Sequence, residues 1–347
     1  MKKIFAVFLV IAFIILILVA PNLCINGAQN GLIICGTVII PSLFPFAVCV
    51  IFLMKTNIFS KIKIIKPVAS KLFNQTEEMF CVMIFSMIGG YPVGAKLLNE
   101  LCFDNKISKR NAHIMQCYCV NAGPAFILVA VGSGILNSKK LGVILLISHL
   151  LSSIIIAFFC RKFIKYDTTS NKTKKTDFIS LSDRFVESVA EAASSTLSIC
   201  SFVILFSVIN SYLLNISKTY KFFKILSSLC EVTTAVSSTK NIYIISFLLA
   251  FSGIAIWFQV MACSKHSGVN LWLFAFFRIL HGTISTFLTF ILLKTFKIST
   301  STITNNIKTS YTFSDITVVF SLVIMIILFL ISINSKKQGG NQLKDML

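Results

Sequence analysis

The chain has 347 residues, of which 56% are apolar types and only 13% are charged, and its mean hydropathy is +0.87. Soluble domains carry about 25% charged residues. Soluble multidomain, disordered, collagenous and disulfide-rich secreted classes are therefore excluded, and an integral membrane protein remains. The formal net charge of +20 fits lysines and arginines gathered in cytoplasmic loops. No nucleic-acid-binding motif accompanies it, and no nucleic acid partner is expected. The 11 cysteines are odd in number, lack a CxxC pair and mostly sit in apolar runs, which fits small buried hydrophobes rather than disulfides or a metal site.

The first apolar run, Ile4–Ala20, has 17 residues behind Lys2 and Lys3, the short end of a membrane span. A retained anchor over residues 1–24 is expected. The second run, Gly31–Met54, contains Pro41 and Pro45. Lys55–Gln75 then places Lys55, Lys61, Lys63, Lys66 and Lys71 between apolar residues, the pattern of a basic amphipathic connector on the cytoplasmic interface. Met79–Ile88 rises only about 15 Å as a helix, half a bilayer. It ends in Gly89-Gly90-Tyr91-Pro92-Val93-Gly94-Ala95-Lys96, which predicts a re-entrant hairpin. His113–Leu136 is long enough to cross but is interrupted by Asn121-Ala122-Gly123-Pro124, where proline removes a helix hydrogen bond. Leu141–Cys160 spans, and the polar stretch Arg161–Arg184 reads as a cytoplasmic linker.

Beyond the linker, Val186–Leu214 carries Glu187 and Glu191, and the short piece Phe222–Ser238 holds Glu231, Ser237 and Ser238. Ile242–Cys263 spans with Ser252-Gly253 in its middle, and Leu271–Leu293 spans with Arg278 and His281. Lys294–Ser314 reads as a loop and Ile316–Ile333 as a final helix. The two halves resemble each other weakly. Ala28–Cys35 parallels Ala193–Cys200, and Leu146-Ile-Ser-His149 parallels Arg278-Ile-Leu-His281. With the N-terminus inside and the hairpins not crossing, 22 basic residues fall inside and nine outside, as the positive-inside rule asks. The halves then run in opposite directions, a common plan of secondary transporters. The expected fold is an all-α polytopic membrane protein, with about eight transmembrane helices plus two re-entrant helical hairpins in an inverted repeat. The repeats cover residues 25–160 and 185–295, with the linker at 161–184 and a loop, helix and tail at 296–347.

Unwound backbone cannot face lipid and must be buried or line a wet cavity, and half-helix N-termini suit anions. Gly90, Pro92, Gly94 and Lys96 at one break, Asn121 and Gly123 at another, and Ser237 and Ser238 in the second half are therefore candidate solute contacts. Ionisable residues at membrane depth are functional candidates. Arg278 suits a carboxylate, Glu231 suits a coupling ion or proton, and Glu191 stands in reserve. HExxH, GxSxG and P-loop patterns are missing, so neither an enzyme nor a cofactor is expected.

The pieces Pro41-Ser-Leu-Phe-Pro45-Phe, Gly89–Lys96, Asn121–Pro124, Cys230-Glu231-Val-Thr233 and Arg278–Gly282 also carry a resemblance. In order and spacing over roughly residues 25–295 they resemble the YlbJ-type sporulation membrane proteins of the nucleoside-recognition Gate group. Those usually show Ser-Gly-Phe-Pro-Ser-Gly-Ala-Lys where this chain has Gly89–Lys96, and a longer Ser/Asn-rich stretch before Pro124. The resemblance implies secondary transport of dipicolinate, a small planar dicarboxylate, out of the mother cell across the outer forespore membrane. A nucleoside carrier and a non-transporting scaffold for spore assembly are the alternatives.

Overall fold

The computed structural model describes residues 2–56, 65–165, 180–220 and 222–297. Among them there are helices and no strands. Helix α1 (Lys2–Val19) is followed by α2 (Pro21–Ile34), and the two bend by 103°. Pro21 causes this, because its ring suits the first turn of a new helix and does not continue an old one. A π-helical turn at Cys35–Ile39 leads into α3 (Ile40–Lys55). The turn directly precedes Pro41, whose missing N–H interrupts the regular ladder. Helix α4 (Ile65–Phe73) carries part of the basic connector.

The expected hairpin is formed by α5 (Glu77–Gly89) and α6 (Tyr91–Phe103). Thr76 caps α5, with Glu77 and Glu78 in its first turn, the charge that a helix N-terminus favours. Helix α7 (Lys109–Gln116) stops well before the expected break, and helical geometry resumes at Pro124, leading into a π-helical run, Phe126–Ile135. The interruption is thus longer than Asn121–Pro124. Helix α8 (Lys139–Cys160) follows, and α9 (Leu181–Ser217) is a single helix of 37 residues. Next come α10 (Phe222–Cys230), α11 (Val232–Ser237), α12 (Ile242–Phe251), α13 (Ile254–Cys263) and α14 (Leu271–Thr295). In the short second-half piece one break falls at Glu231, between α10 and α11, and helix α11 itself ends at Ser237, ahead of α12.

Four helical stretches are long and apolar enough to cross a membrane, α8, α9, α12 with α13, and α14; the bent α1–α2 pair makes a fifth. The expected number of eight is not reached among the described residues. Proline and glycine cut two of the counted runs, Gly31–Met54 and His113–Leu136, into shorter pieces. The expected final helix, Ile316–Ile333, lies outside the described residues, as does most of the 161–184 linker.

Helices α2 and α3 pack along α9, and α14 packs between α8 and α12. The α2–α9 crossing is set by glycine. A Cβ added at Gly31 would stand 2.7 Å from Ile204 Cα, and one at Gly27 2.7 Å from Val208 Cα. This small-xxx-small spacing lets two membrane helices approach closely. Gly31→Val is expected to destabilise the protein by about 2 kcal/mol, read as a lower unfolding temperature in lipid; an unchanged temperature removes this role.

The loops assigned to one side by charge also meet on one face. Asn74 and Asn111 donate to the carbonyls of Ile164 (2.9 Å) and Lys165 (2.7 Å). Arg184 donates to the Lys55 carbonyl, and Asn99 accepts from the His266 N–H at 2.7 Å.

Candidate solute site at the helix breaks

Two pairs of breaks pack against each other. Gly90, at φ 89°, separates α5 from α6, and a Cβ there would lie 3.6 Å from the Gly123 nitrogen. Ser252 and Gly253, at φ 72° and 77°, separate α12 from α13. A Cβ at Gly253 would lie 3.2 Å from the Val232 nitrogen, at the α10–α11 break. The first pair belongs to the first half and the second pair to the second.

Arg278 ties the halves together. It is fully buried on α14, and it donates to the carbonyls of Cys117 and Val120 in the first half and, at 3.5 Å, of Ala250 in the second. These carbonyls are exposed by the breaks themselves, so the guanidinium satisfies acceptors that helix geometry has released. Its Nε has no hydrogen-bond partner among the described residues, and no carboxylate bridges to it there. Tyr91, one residue past Gly90, adds a second tie, donating to the Leu249 carbonyl at 2.7 Å.

His149 and His281 meet beside these ties, with ring centroids 4.7 Å apart and both side chains fully buried. The Ala122 N–H donates to His149 Nε2 at 3.0 Å, so that ring carries its proton on Nδ1. His281 Nε2 lies 3.1 Å from the His149 carbonyl, which only accepts, so His281 is protonated on Nε2. Both Nδ1 atoms lack partners among the described residues. Asn121 is also fully buried, donating to Tyr118 O at 2.8 Å and Ser86 Oγ at 3.3 Å while its Oδ1 has no partner among those residues.

The other candidates divide. Glu231 is 2% exposed, and its carboxylate accepts the Thr233 N–H at 2.8 Å. Ser237 and Ser238 are exposed and bond back to the Thr233 and Ala235 carbonyls, so they stand apart from the buried centre. Gly94 is dictated by chain approach, since an added Cβ would fall 1.8 Å from the Cys119 carbonyl oxygen. Pro92 and Lys96 line a narrow cleft between α3, α6, α9 and α13, with room for water of ≈20 Å³. That is space for about one water molecule.

At the cleft, Lys96 donates to Ser195 Oγ at 3.0 Å and lies 3.6 Å from Glu191. Lys55 holds Glu187 and Glu191 at 2.7 Å each. Burial works to lower the Lys55 pKa, but the hydrogen bonds to the two carboxylates outweigh it and hold the ammonium above the usual lysine range. Lys96 and Glu191 are thus brought together. The sequence pattern places Lys55 among the connector charges and gives no sign that Tyr91 or Cys263 belongs to the site. The paired Leu146–His149 and Arg278–His281 strings were the signal for the histidine contact.

Among the described residues no group of three or more His, Cys, Asp or Glu is placed to hold a metal ion. These features define an all-helical membrane protein centred on apposed helix breaks. No family model matches the chain, and no solved structure matches it. It is similar to the sporulation integral membrane protein YlbJ of Bacillus subtilis (strain 168), 25% identical over 308 residues with 76% of each chain covered. The relationship is YlbJ-like.

Proposed function

We propose that this protein is a secondary transporter of a small anionic solute, working in sporulation like its YlbJ relative, with dipicolinate leaving the mother cell as the solute. One observation carries the reading: Arg278 is a fully buried cation that joins an interrupted segment of the first half to one of the second, with no bridging carboxylate among the described residues and an unpartnered Nε. A buried charge without a counter-ion is costly, and a visiting anion offsets that cost. Two further contacts support an inverted repeat. Residues at equivalent places in two halves touch only near a two-fold axis. His149 meets His281, and Cys35 Sγ lies 3.7 Å from the Cys200 carbonyl oxygen; both pairs are counterparts in the weak sequence repeat. Residues 25–160 and 185–295 are then the two units, in a cell or forespore membrane. Glu231 is the coupling residue for an ion or proton, and Lys96, Asn121 and Arg278 receive the solute.

The test is binding and uptake of labelled dipicolinate by purified protein in liposomes, with labelled uridine in parallel. Dipicolinate uptake that uridine does not compete is expected. Glu231→Gln is expected to lower uptake about tenfold or more at equal protein level, the scale of a lost charged group in the membrane interior. Uridine uptake alone means a nucleoside carrier, and uptake of neither points to a scaffold. Normal dipicolinate uptake by Glu231→Gln removes the coupling assignment.

A further inference from the structure

We infer that the His149–His281 pair binds one proton, on His281 Nδ1, together with the anion held by Arg278. This rests on the transporter reading and deepens it by placing the proton that enters with the solute, which leaves Glu231 to a coupling ion. The hydrogen bonds single out one atom. Of the four ring nitrogens, His149 Nε2 is occupied as the acceptor of the Ala122 N–H at 3.0 Å. His149 Nδ1 therefore carries that ring's proton. His281 Nε2 carries the other, because it faces the His149 carbonyl at 3.1 Å. The same carbonyl accepts from Ser152 Oγ at 2.8 Å. His281 Nδ1 is left as a bare lone pair without a partner among the described residues. It can take a proton with every one of these bonds kept. His149 Nδ1 also lacks a partner there, so a donor and a base are buried on touching rings. Packing alone does not call for this arrangement, since each unpaired buried polar atom is costly and an apolar side chain avoids the cost. A proton, unlike a solute, needs no cavity.

The charge beside the pair makes the proton conditional on the anion. Arg278 stands three residues before His281 on α14 and is within electrostatic reach of both rings. It opposes a second cation in the same buried place. An anion on Arg278 removes that opposition, so anion and proton favour each other, and by the same factor. The other titratable groups do not change this sign. Tyr91 of α6, with Cys117 and Cys119 of the interrupted segment, acts on Arg278 and is uncharged at neutral pH. Glu231 acts on Tyr91, and its carboxylate works in the same sense as the anion. Along α8, Lys140 and Lys139 stand about 14 and 15 Å from His149, and Lys294 stands about 20 Å from His281 along α14. Helix α12 brings Tyr243, and the π-helical run brings no titratable group. Lys109 and Arg110 of α7 and Lys66 and Lys71 of α4 are exposed, and His113 of α7 is bound to the Ser267 carbonyl. A dicarboxylate gains most from this arrangement. Arg278 matches one of its charges and the protonated His281 the other, Lys96 being shared with Glu191.

Calorimetry of dipicolinate binding to the full-length protein in liposomes counts the proton. Titrations between pH 6 and 8, where the probe's carboxylates stay ionised, are run in two buffers of different ionisation enthalpy. About one proton taken up per dipicolinate is expected in the parent, with affinity rising by up to about tenfold per unit fall in pH. His281→Gln keeps a donor for the His149 carbonyl and cannot be protonated. It is expected to bind without proton uptake and with an affinity independent of pH. A merely structural histidine would weaken binding and leave the proton count unchanged, and that result overturns the inference. Should the variant not fold, nitrogen NMR of the parent labelled in its histidine rings decides. One ring is expected to become doubly protonated on saturation with dipicolinate, and unchanged rings overturn the inference. Dipicolinate binding by the parent without proton uptake overturns it too and leaves the transporter reading standing. Binding of neither dipicolinate, benzoate nor phosphate refutes that reading, and the inference falls with it.

Discussion

Arg278→Ala is expected to cost about 3–5 kcal/mol of stability, the range for removing one member of a buried charged network. The carbonyls of Cys117 and Val120, and that of Ala250, lose their donor together. All three sit where the helices are interrupted, so no neighbouring N–H replaces the guanidinium. Water is a poor substitute there, because the Arg278 side chain is fully buried among packed helices. Arg278→Lys keeps the charge but replaces a planar fork by a single ammonium group. It cannot reach carbonyls of both halves with the same geometry, and an intermediate loss is expected. Thermal unfolding of the purified protein in lipid reads both variants. An alanine variant as stable as the parent means that Arg278 does not join the halves. A lysine variant that keeps its fold but loses dipicolinate binding separates solute contact from structural tie.

Gly94→Ala is expected to be the most damaging of the small substitutions. The new methyl group would lie 1.8 Å from the Cys119 carbonyl oxygen and 2.7 Å from Ser86 Cβ. Neither neighbour is a flexible tip. The carbonyl is main chain in the interrupted segment that Arg278 also holds, and Ser86 belongs to the other arm of the hairpin. The hairpin must lift off the broken helix, with a loss of about 3 kcal/mol, the upper range for overpacking a close-packed interior. Gly123→Ala is the control. Its methyl group would meet Gly90 Cα at 3.4 Å, an ordinary contact, at a residue without positive φ. A lower yield of folded protein for Gly94→Ala and near-parent behaviour for Gly123→Ala are expected from membrane expression and thermal unfolding. Equal behaviour of the two removes the close-approach argument.

Much of the architecture was legible because it follows from local rules. Runs of apolar residues locate α8, α9 and α14 within a few positions, since only a helix satisfies its own backbone inside a bilayer. Gly89-Gly90 and Ser252-Gly253 announce breaks because positive φ costs glycine little. The charge bias grouped Lys55, the Lys96–Arg110 segment, Arg161 and Lys265 on one side, and hydrogen bonds among those loops put them on one face. The extent of the 117–123 interruption was not legible. Cys117-Tyr118-Cys119-Val120 has no helix breaker in it, and its backbone leaves the helix to meet Gly94, Arg278 and Ser153. Ser237 and Ser238 follow from matching helix breaks between the halves, and a matched break says nothing of whether a hydroxyl faces a cavity or bonds back to its own helix.

The amino-acid order by itself determined that this is a helical membrane protein, where glycine and proline interrupt its helices, and which loops share a side. Those properties depend on apolar runs, glycine and proline positions and charge counts, all of which act over a few residues. Only the tertiary structure decided which partners the rare charges take. Arg278 finds backbone carbonyls from both halves, and Lys96 shares Glu191 with Lys55. Apart from the Arg278 contact with Ala250, such pairings join residues more than ninety positions apart along the chain, and they follow from which helices pack together rather than from any local pattern.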